Sequence, residues 1–333
     1  MLKYWKGGIS MKIATVGTSD ITKKMLSAIR SRTDIALAAV YSRSERKAEA
    51  FAREQGAGLW FTDLAAMAAS DAFDAVYIAS PNALHEAQAR LFLEHGKHVL
   101  CEKPMTVTRE AEEALYALAE EKGRVYMEAI MSIHTPAFGI LQRAIGGIGT
   151  VRSVSLQYCQ LSSRYPALFR GEVPNIFDPA MKAGCLMDIG VYPIYLAAAL
   201  FGRPKRILSA AEFLSTGADA AGAAILQYDG MTVDLHYSKV AQSFAPSEIL
   251  GDNGTITIDA VSLLTGIRLR QDGGVRELVP GDLSRDDVMG AEASFFAKTV
   301  KEGYSPAYRF AKETSLLVRE ITDEIRRQNG FPF

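Results

Sequence analysis

The chain has 333 residues, of which 48% are hydrophobic and 23% are charged, which is enough for two domains with packed cores. A formal net charge of −1 provides no overall field that would attract nucleic acid or an anionic membrane, so we expect neither as a partner. The three cysteines are widely spaced and form no CxxC pair, which argues against a disulfide framework or a metal site and favours reduced thiols in the cytoplasm.

The first residues do not have the pattern of a targeting segment. Residues 1–10 contain two lysines and two glycines but no apolar core of signal-peptide length, so we expect a loose extension, with Met11 as a second candidate start. The longest apolar runs, such as residues 194–201, are too short to cross a bilayer, and we predict no membrane span.

Short apolar runs alternate with amphipathic helical stretches from residue 11 to about residue 130. The runs lie at residues 12–17, 35–42, 58–61, 75–80, 98–101 and 124–130. They are apolar throughout, as strands that are covered on both faces should be. Alternating β and α units predict a doubly wound parallel sheet of the Rossmann type, with helices on both faces, over residues 11–130.

Beyond residue 150 the apolar pattern changes to a period of two. Such runs lie at residues 151–159, 206–214, 222–228, 231–238, 248–259, 267–270 and 275–279. Asp229-Gly230, Asn253-Gly254 and Gly273-Gly274 supply hairpin-turn chemistry, because such turns need positive φ. We therefore predict a second domain, residues 131–333, on a mainly antiparallel sheet. Helices are predicted near residues 183–201, 287–302 and 307–328, and the last is expected to pack back on the first domain.

The first strand ends in a degenerate copy of the dinucleotide-binding fingerprint. The turn reads Gly17-Thr18-Ser19-Asp20-Ile21-Thr22. Gly17 can make the tight turn, whereas Ser19 and Thr22 replace the second glycine and the small residue of G-x-G-x-x-G. Backbone N–H groups at the start of the next helix still offer an anion site, so residues 17–21 are predicted to bind a dinucleotide. A turn that holds no ligand is the alternative.

The end of the second strand indicates which dinucleotide binds. An NAD-selective site usually has Asp or Glu there, but this chain has Tyr41-Ser42-Arg43-Ser44. The charge and fork geometry of Arg43 match a 2′-phosphate. Ser42, Arg43 and Arg46 are therefore predicted to bind NADP(H), with NAD as the second candidate. The alternative is that Arg43, Arg46 and Lys47 are only the solvated face of a helix.

The fourth predicted strand leads into a small polar loop. The loop contains Ser80, Pro81 and Asn82, and His85 follows one helical turn later. At this edge of a parallel sheet such a loop would border the ribose and the nicotinamide, so Ser80, Asn82 and His85 are candidate cofactor contacts. An ordinary helix start explains Pro81 and Asn82 equally well.

The fifth predicted strand leads into Glu102-Lys103-Pro104. Pro104 restricts the backbone before it, which would hold Lys103 extended at the edge where ligands bind. Lys103 is therefore a candidate acid or electrostatic catalyst. A lysine in a surface loop is the alternative, and the flanking Glu102 and Pro104 at a strand end count against it.

A carboxylate and a phenol lie inside an otherwise apolar predicted helix. Asp188 and Tyr192 are four residues apart, so both side chains share one helix face. Their neighbours Leu186, Met187, Ile189 and Val191 are apolar. Capping by the carboxylate and packing of the ring form the structural alternative. The functional interpretation is that both side chains face the nicotinamide alongside Lys103.

Lys103, Asp188 and Tyr192 suit alcohol–carbonyl redox chemistry. In that chemistry a hydride moves to or from nicotinamide C4, and a proton joins or leaves the same oxygen. Tyr192 can carry the proton, and a neighbouring ammonium would bring its pKa down from about 10 towards working pH. Lys103 can also hydrogen-bond the oxygen as charge develops. Asp188 could orient substrate hydroxyls or hold Lys103 charged, and no metal is required.

In these residues the chain resembles the glucose–fructose oxidoreductase and inositol dehydrogenase (Gfo/Idh/MocA) family. The resemblance runs from Lys12 to the last helix. It rests on the glycine turn, Ser80-Pro81-Asn82 with His85, Glu102-Lys103-Pro104, Met127-Glu128-Ala129 and the helix of Asp188 and Tyr192.

The resemblance implies a Rossmann domain and a C-terminal α/β domain on a large open sheet. It places Lys103 beside the nicotinamide and makes Glu102 and Glu128 cofactor contacts. It also implies a homodimer or homotetramer that associates through the exposed face of that sheet.

The chain departs from many family members at one catalytic position. Many members have histidine where this chain has Tyr192, and the tyrosine version resembles the branch of glucose–fructose oxidoreductase and dihydrodiol dehydrogenase, in which the phenol is the proposed acid/base. The segment before the helix contains Arg164-Tyr165, Phe169-Arg170 and Asn175, and it is either a sugar-facing loop or an ordinary loop that covers the sheet.

Three functions are consistent with these residues. The leading hypothesis is an NADP-dependent oxidoreductase that acts on a sugar, a polyol or a vicinal diol. The second is a nicotinamide-binding sensor without catalysis, against which the intact pair of Lys103 and Tyr192 argues. The third is a glycoside-cleaving relative that retains NAD, against which the NADP preference expected from Arg43 argues.

Overall fold

The computed structural model describes residues 11–30 and 34–333, and the predicted extension at residues 1–10 lies outside these ranges. The first half contains β1 (Met11–Val16), α1 (Asp20–Arg30), β2 (Ile35–Tyr41), α2 (Glu45–Gln55), β3 (Leu59–Phe61), α3 (Leu64–Ala68), β4 (Ala75–Ile78), α4 (His85–Glu94), β5 (His98–Glu102), α5 (Arg109–Glu121) and β6 (Tyr126–Ala129). The six strands form one parallel sheet in the order β3-β2-β1-β4-β5-β6. The prediction of a Rossmann sheet is therefore confirmed.

The order of this sheet creates its binding edge. The chain runs outward from β1 to β3, returns to the centre and runs outward again from β4 to β6, so the order reverses between β1 and β4. All four residues of β4 are buried, as an apolar central strand requires. Ligands of such sheets bind outside the carboxyl ends of the strands at this point of reversal. The predicted site segments therefore converge there.

The second half is built on an eight-stranded sheet. It contains α6 (Pro136–Ile145), β7 (Val151–Cys159), α7 (Val191–Phe201), β8 (Arg206–Phe213), β9 (Asp219–Tyr228), β10 (Met231–Ser238), β11 (Ser247–Gly251), β12 (Gly254–Ala260), β13 (Thr265–Gln271), β14 (Gly274–Val279), α8 (Arg285–Glu302) and α9 (Pro306–Asn329). The strand order is β14-β13-β12-β11-β7-β10-β9-β8, and only the pairing of β7 with β10 is parallel. The predicted, mainly antiparallel sheet is confirmed.

The segment predicted as one helix over 183–201 has two parts. A wider π turn spans Leu186–Gly190 and leads directly into α7. The N–H of Leu186 donates to Asp219 Oδ2 (2.6 Å), and a Cβ on Gly190 would lie 2.9 Å from the ring of Tyr237. These contacts anchor the turn to β9 and β10. Single π turns inside helices occur frequently at functional sites.

The helical stretch Pro179–Phe201 is, by length and composition, long and apolar enough to cross a membrane. The apolar run at residues 194–201 is therefore only the last part of a longer apolar helical stretch, and the prediction from the length of that run is wrong about length. However, 83% of the most apolar window of this stretch is buried inside the protein. The stretch is therefore a core helix that packs between the two sheets.

The last helix, α9, is in contact with both halves of the molecule. Tyr308 Oη donates to the carbonyl of Tyr126 in β6 (2.9 Å), and Gln328 Nε2 donates to the carbonyl of Ile207 in β8 (2.8 Å). Arg319, which is fully buried, pairs with carboxylates of α5 and β6. The two sheets are consequently joined by a shared helix as well as by the chain between them.

Candidate active site

The glycine turn after β1 is sterically constrained. Gly17 has φ +115°, and a Cβ built on it would lie 2.6 Å from the carbonyl oxygen of Ala79. Any other residue would push the ends of β1 and β4 apart. Thr22 is fully buried under the turn, with its hydroxyl 3.4 Å from that of Ser19. Ser19 and Thr22, which replace smaller residues of the fingerprint, thus fit into the turn with their hydroxyls in contact.

The start of α1 offers backbone donors to an anion. The helix begins at Asp20, so the amides of Ser19, Asp20 and Ile21 lie at its N-terminal end, next to Thr18. Unpaired amides and the helix dipole favour a phosphate at such a position. The turn therefore suits the pyrophosphate of a dinucleotide. Contacts of Gly17, Thr18, Ser19, Asp20 and Ile21 with that group remain predictions.

Arg43 follows β2 and points away from the core. Its side chain is exposed, as is that of Arg46, and in the part of the chain that the structure describes neither guanidinium has an ion-pair partner. Ser44 caps α2, so Ser42 and Arg43 form the loop between strand and helix. An unpaired guanidinium at this edge suits a phosphate. The NADP-binding role of Arg43 and Arg46 therefore stays a prediction, and so does the alternative that both are ordinary solvent-exposed side chains.

His85 lies behind the loops that follow β4 and β5. The ring is 1% exposed, with Nδ1 2.9 Å from the carbonyl of Pro104 and Nε2 2.8 Å from the carbonyl of Ser80. Burial lowers the pKa of His85 below its ordinary value. The predicted cofactor contact of His85 stays a prediction, and in the structure both ring nitrogens are within hydrogen-bond distance of the two loops. The ring holds these loops in position.

Ser80 and Asn82 are also tied to neighbouring segments. Ser80 Oγ donates to Gln88 Oε1 (2.7 Å), and Asn82 Nδ2 donates to the carbonyl of Lys182 (2.9 Å). The bond of Asn82 crosses from the nucleotide sheet to the segment before the π turn. Both residues remain partly exposed, so their predicted cofactor contacts are compatible with the structure and stay predictions.

Glu128 does not face the nucleotide edge. It is 2% exposed: Oε1 accepts from the N–H of Met105 (2.9 Å) and from Arg319 (3.3 Å), and Oε2 accepts from Ser315 (2.9 Å) and from Tyr195. The cofactor contact implied for Glu128 stays a prediction, and the bonds of this carboxylate go to the loop of Met105, to α7 and to α9. β6 is the edge strand, and its carboxylate turns towards α9.

Glu102 ends β5 beside the catalytic candidates. Tyr77 Oη donates to Glu102 Oε1 (2.5 Å). Burial raises the pKa of Glu102 above its ordinary value, although the adjacent Lys103 opposes this effect. The carboxyl is therefore held by the hydroxyl of Tyr77 in β4, and its cofactor contact stays a prediction.

Lys103, Asp188 and Tyr192 come together where the two sheets meet. Lys103 Nζ donates to the carbonyl oxygen of Asp188 (2.6 Å) and to its Oδ1 (2.9 Å). The same ammonium lies 5.3 Å from the centre of the Tyr192 ring. Asp188 Oδ2 pairs with a second ammonium, that of Lys239. Four polar side chains therefore form one cluster, which we call the Lys103 cluster: Lys103, Asp188, Tyr192 and Lys239.

The protonation states within the Lys103 cluster follow from its contacts. Burial alone would lower the pKa of Lys103, but Asp188, Tyr192 and Glu102 together outweigh burial, and the pKa lies above its ordinary value. Burial alone would raise the pKa of Asp188, but Lys103 and Lys239 together hold it well below its usual range. Asp188 is therefore ionised, and it forms ion pairs with both Lys103 and Lys239.

The pKa of Tyr192 differs from our prediction. Burial raises it above its ordinary value, and the attraction of Lys103 offsets only part of that increase. The expected lowering towards working pH is therefore wrong for this state of the protein. The main reason is burial of the phenol, and the Lys103 ammonium, which also pairs with Asp188, lowers the pKa by less than burial raises it. Tyr192 is a neutral phenol here, ready to donate a proton.

Two residues of this site were missed by sequence reasoning. Lys239 follows β10 directly, and the ring of Tyr158 in β7 meets the ring of Tyr192 edge-on at 5.7 Å. Both lie at the ends of β7 and β10, which pair in parallel. Periodicity cannot reveal that pairing, since the two strands are separated by more than seventy residues of sequence.

The site combines parts that suit a nicotinamide dinucleotide with a buried phenol beside an ammonium. A strained glycine turn, helix-end amides and the Lys103 cluster all lie at the carboxyl edge of one parallel sheet. No group of three or more His, Cys, Asp or Glu in residues 11–30 and 34–333 is placed to hold a metal ion. The class defined by this fold and site is a nicotinamide-dependent oxidoreductase.

Comparison with known families makes the identification specific. The family model of the Gfo/Idh/MocA oxidoreductases, NAD-binding Rossmann fold, matches residues 11–130, and that of the Gfo/Idh/MocA C-terminal domain matches residues 143–257. The chain belongs to the Gfo/Idh/MocA family of oxidoreductases. The family resemblance stated from the motifs is thereby confirmed.

Two named relatives differ in how much of the chain they match. It is 43% identical to scyllo-inositol 2-dehydrogenase (NADP(+)) IolU of Bacillus subtilis (strain 168), over 97% of this chain and 98% of that protein. Trans-1,2-dihydrobenzene-1,2-diol dehydrogenase of Oryctolagus cuniculus is 30% identical over 60% of this chain and 59% of that protein. The similarity to the diol dehydrogenase branch is therefore the more distant of the two.

A solved structure shares the whole fold. The 3-ketoreductase KijD10 of Actinomadura kijaniata, in complex with NADP and TDP-benzene, superimposes with a TM-score of 0.84 at 24% identity and covers 96% of this chain and 98% of its own. At this identity the likeness concerns the fold alone. It shows that both sheets and their connecting helices keep one arrangement in the two proteins.

Proposed function

We propose that this protein is an NADP(H)-dependent dehydrogenase of an inositol or a related cyclic polyol or sugar, with Tyr192 as acid/base and Lys103 assisting. The observation that carries the proposal is the Lys103 cluster at the carboxyl edge of β5, next to the dinucleotide turn. The 43% identical relative that bears the name scyllo-inositol 2-dehydrogenase (NADP(+)) supports the substrate class and the cofactor.

The residues of the cluster divide the chemistry between them. Bound NADP(H) accepts or supplies the hydride. Tyr192 is 7% exposed, and among residues 11–30 and 34–333 no partner holds its hydroxyl, so it is free to meet a substrate oxygen. Lys103 directs positive charge at the same place, where it stabilises negative charge on that oxygen. Asp188 keeps Lys103 charged and in position.

The loop before the π turn is a candidate wall of the substrate pocket. Its short helical turns span Tyr165–Arg170 and Asn175–Phe177, and the ring of Tyr165 packs edge-on against Phe169 and Phe177. Phe169 is 77% exposed. An exposed aromatic ring with arginines beside it suits the apolar faces and hydroxyls of a cyclic polyol. The sugar-facing role of this loop remains part of the proposal.

A substrate panel tests the proposed function. Scyllo-inositol, myo-inositol, D-xylose, D-glucose and a trans-diol would each be incubated with NADP⁺, and reduced cofactor would be followed by absorbance. We expect an inositol to give the highest kcat/KM. Tight NADPH binding without turnover of any member would favour the sensor hypothesis. Hydrolysis of a glycoside with non-exchanging cofactor and no net reduction would favour the glycoside-cleaving one.

The preference for NADP(H) depends on Arg43 in this proposal. Arg43→Ala is expected to weaken NADPH binding by about tenfold to a hundredfold, the size of one charge-assisted interaction, and to leave NADH binding almost unchanged. Titration of intrinsic fluorescence with each cofactor measures both affinities. Arg53→Ala, which removes an exposed guanidinium paired with Glu49 on the same helix, is the matched control. Equal loss for NADPH and NADH would remove the role given to Arg43.

We also propose a homodimer or homotetramer that forms through the open face of the eight-stranded sheet. Leu208 in β8 and Ile225 in β9 are direct cross-strand partners, and they are 43% and 42% exposed. Adjacent apolar side chains on an uncovered sheet face favour association. Sedimentation velocity measures the assembly, and a monomer at micromolar concentration would contradict this part of the proposal.

A further inference from the structure

Lys239 shares the carboxylate of Asp188 with Lys103. Lys103 Nζ binds Oδ1 at 2.9 Å, while Lys239 Nζ pairs with Oδ2. Both ammonium groups are largely buried, with side-chain exposures of 12% for Lys103 and 10% for Lys239. Taking a charge out of water is costly, so a second buried lysine on one carboxylate needs a compensating benefit.

The backbone holds Lys239 in one place. Its N–H donates to the carbonyl of Ala220 in β9 (2.9 Å), and its carbonyl accepts from the N–H of Ser162 after β7 (2.9 Å). The residue is thus fixed between the two segments that flank the end of β10. An ammonium presented by such a fixed backbone loses little further freedom when it pairs with Asp188.

The sum of charges in the cluster shows what Lys239 adds. Lys103 and Asp188 alone are a neutral pair, and a carboxylate 2.9 Å from an ammonium cancels most of its field at the neighbouring oxygen. With Lys239 the cluster carries one net positive charge in a buried site. Electrostatic effects are strong there because little water screens them.

We propose that Lys239 is a positioning residue for hydride transfer, because its ammonium neutralises Asp188 and so leaves the positive charge of Lys103 uncompensated at Tyr192 and at the reacting oxygen. The inference deepens the proposed function and rests on it. It assigns to β10 a role in the reaction, in addition to its place in the sheet.

The charged and titratable groups around Tyr192 determine the expected pH effect. Lys103 and Glu102 face it from β5 and its loop, Tyr158 from β7 and Asp188 from the π turn. Lys103 favours the phenolate, whereas Asp188, Glu102 and Tyr158 oppose it. When Lys239 is removed, the opposing effect of Asp188 is no longer shielded. The phenol of Tyr192 then becomes harder to deprotonate.

The test compares pH profiles of polyol oxidation by the full-length protein with NADP⁺. Oxidation needs a deprotonated base, so kcat rises with pH through the limb assigned to Tyr192. Lys239→Met keeps the buried stem but removes the charge. We expect it to shift this rising limb to higher pH by about one unit, which is an about tenfold lower kcat at any one pH on the limb. Lys239→Arg should restore the limb, and KM for NADP⁺ should not change.

Controls separate this effect from loss of structure. NADPH binding and the thermal midpoint show whether each variant is folded, and Lys239→Gln serves as a second neutral variant should Lys239→Met not fold. Lys298→Met removes an exposed lysine of α8 and should leave the profile unchanged. An unmoved limb in a folded neutral variant would overturn the role of Lys239. Full activity of Tyr192→Phe would instead overturn the proposed function itself.

Discussion

Tyr192→Phe is expected to lower kcat for polyol oxidation and for the reverse reduction by about 10²–10⁴-fold, the usual contribution of a positioned acid or base. The phenol is buried, its hydroxyl is unpaired within the described residues, and Lys103 lies 5.3 Å from the ring centre. Removing one oxygen keeps the ring, its edge contact with Tyr158 and its packing in the core. Steady-state rates in both directions measure the loss.

Binding of NADPH provides the internal standard for this variant. The affinity of Tyr192→Phe for NADPH should stay within a factor of about two of the parent affinity, because in our proposal NADPH binds to the glycine turn and to Arg43. The substitution itself should change the free energy of unfolding little, since the Tyr192 hydroxyl has no hydrogen bond to lose among the described residues. Tyr228→Phe is the matched control, because Tyr228 lies in β9 outside the Lys103 cluster and its hydroxyl donates to the carbonyl of Gly202 (3.0 Å). A Tyr192→Phe enzyme with at least half of the parent kcat would exclude Tyr192 as acid/base.

Arg319→Met is expected to reduce the free energy of unfolding by about 3–5 kcal/mol, the cost of leaving buried carboxylates without their cation. Arg319 is fully buried and pairs with Glu112 (3.2 Å) and Glu128 (3.3 Å), which are buried as well. Denaturant unfolding followed by fluorescence measures the loss. Arg327→Met in the same helix breaks an exposed pair with Glu324 and should cost about 0–1 kcal/mol.

The pH dependence of stability provides a second readout for this cluster. Burial raises the pKa of Glu112 to about 7 from an ordinary 4.5, although Arg319 opposes the increase. The folded protein therefore binds this proton more tightly than the unfolded chain, and stability falls as pH rises from about 4.5 through about 7. Without Arg319 the pKa of Glu112 rises further, so the fall in stability should be larger and extend to higher pH. If Arg319→Met lost no more free energy of unfolding than Arg327→Met at every pH, the buried ion pairs of Arg319 would contribute nothing to stability.

The cluster also connects stability to the site. Glu128 accepts from the N–H of Met105, two residues after Lys103, and from Arg319 of α9. A carboxylate that we assigned to the cofactor thus supports the loop of Lys103 from behind. The sequence located Glu128 correctly near the end of a strand of the nucleotide sheet. It did not reveal the direction in which the side chain points.

The structure brings together residues that lie far apart in the sequence. Lys103 and Asp188 are separated by 85 positions and form two hydrogen bonds. A strand-end lysine and a carboxylate four residues before a phenol were recognisable as unusual, because each interrupts an apolar run. The direction of the Tyr192 pKa shift was not recognisable, since it depends on burial and on how much of the burial effect Lys103 offsets.

The sequence by itself determined the two-domain class, the parallel and the mainly antiparallel sheet, the glycine turn and the candidates Lys103, Asp188 and Tyr192. These follow from periodicity, turn chemistry and polar residues in apolar runs, all of which are local properties of the chain. Only the tertiary structure decided that His85 and Glu128 support loops, that the helix of Asp188 opens with a π turn, and that Lys239 joins the cluster. Each of these depends on which strand lies beside which and where a side chain points, and no local pattern records that.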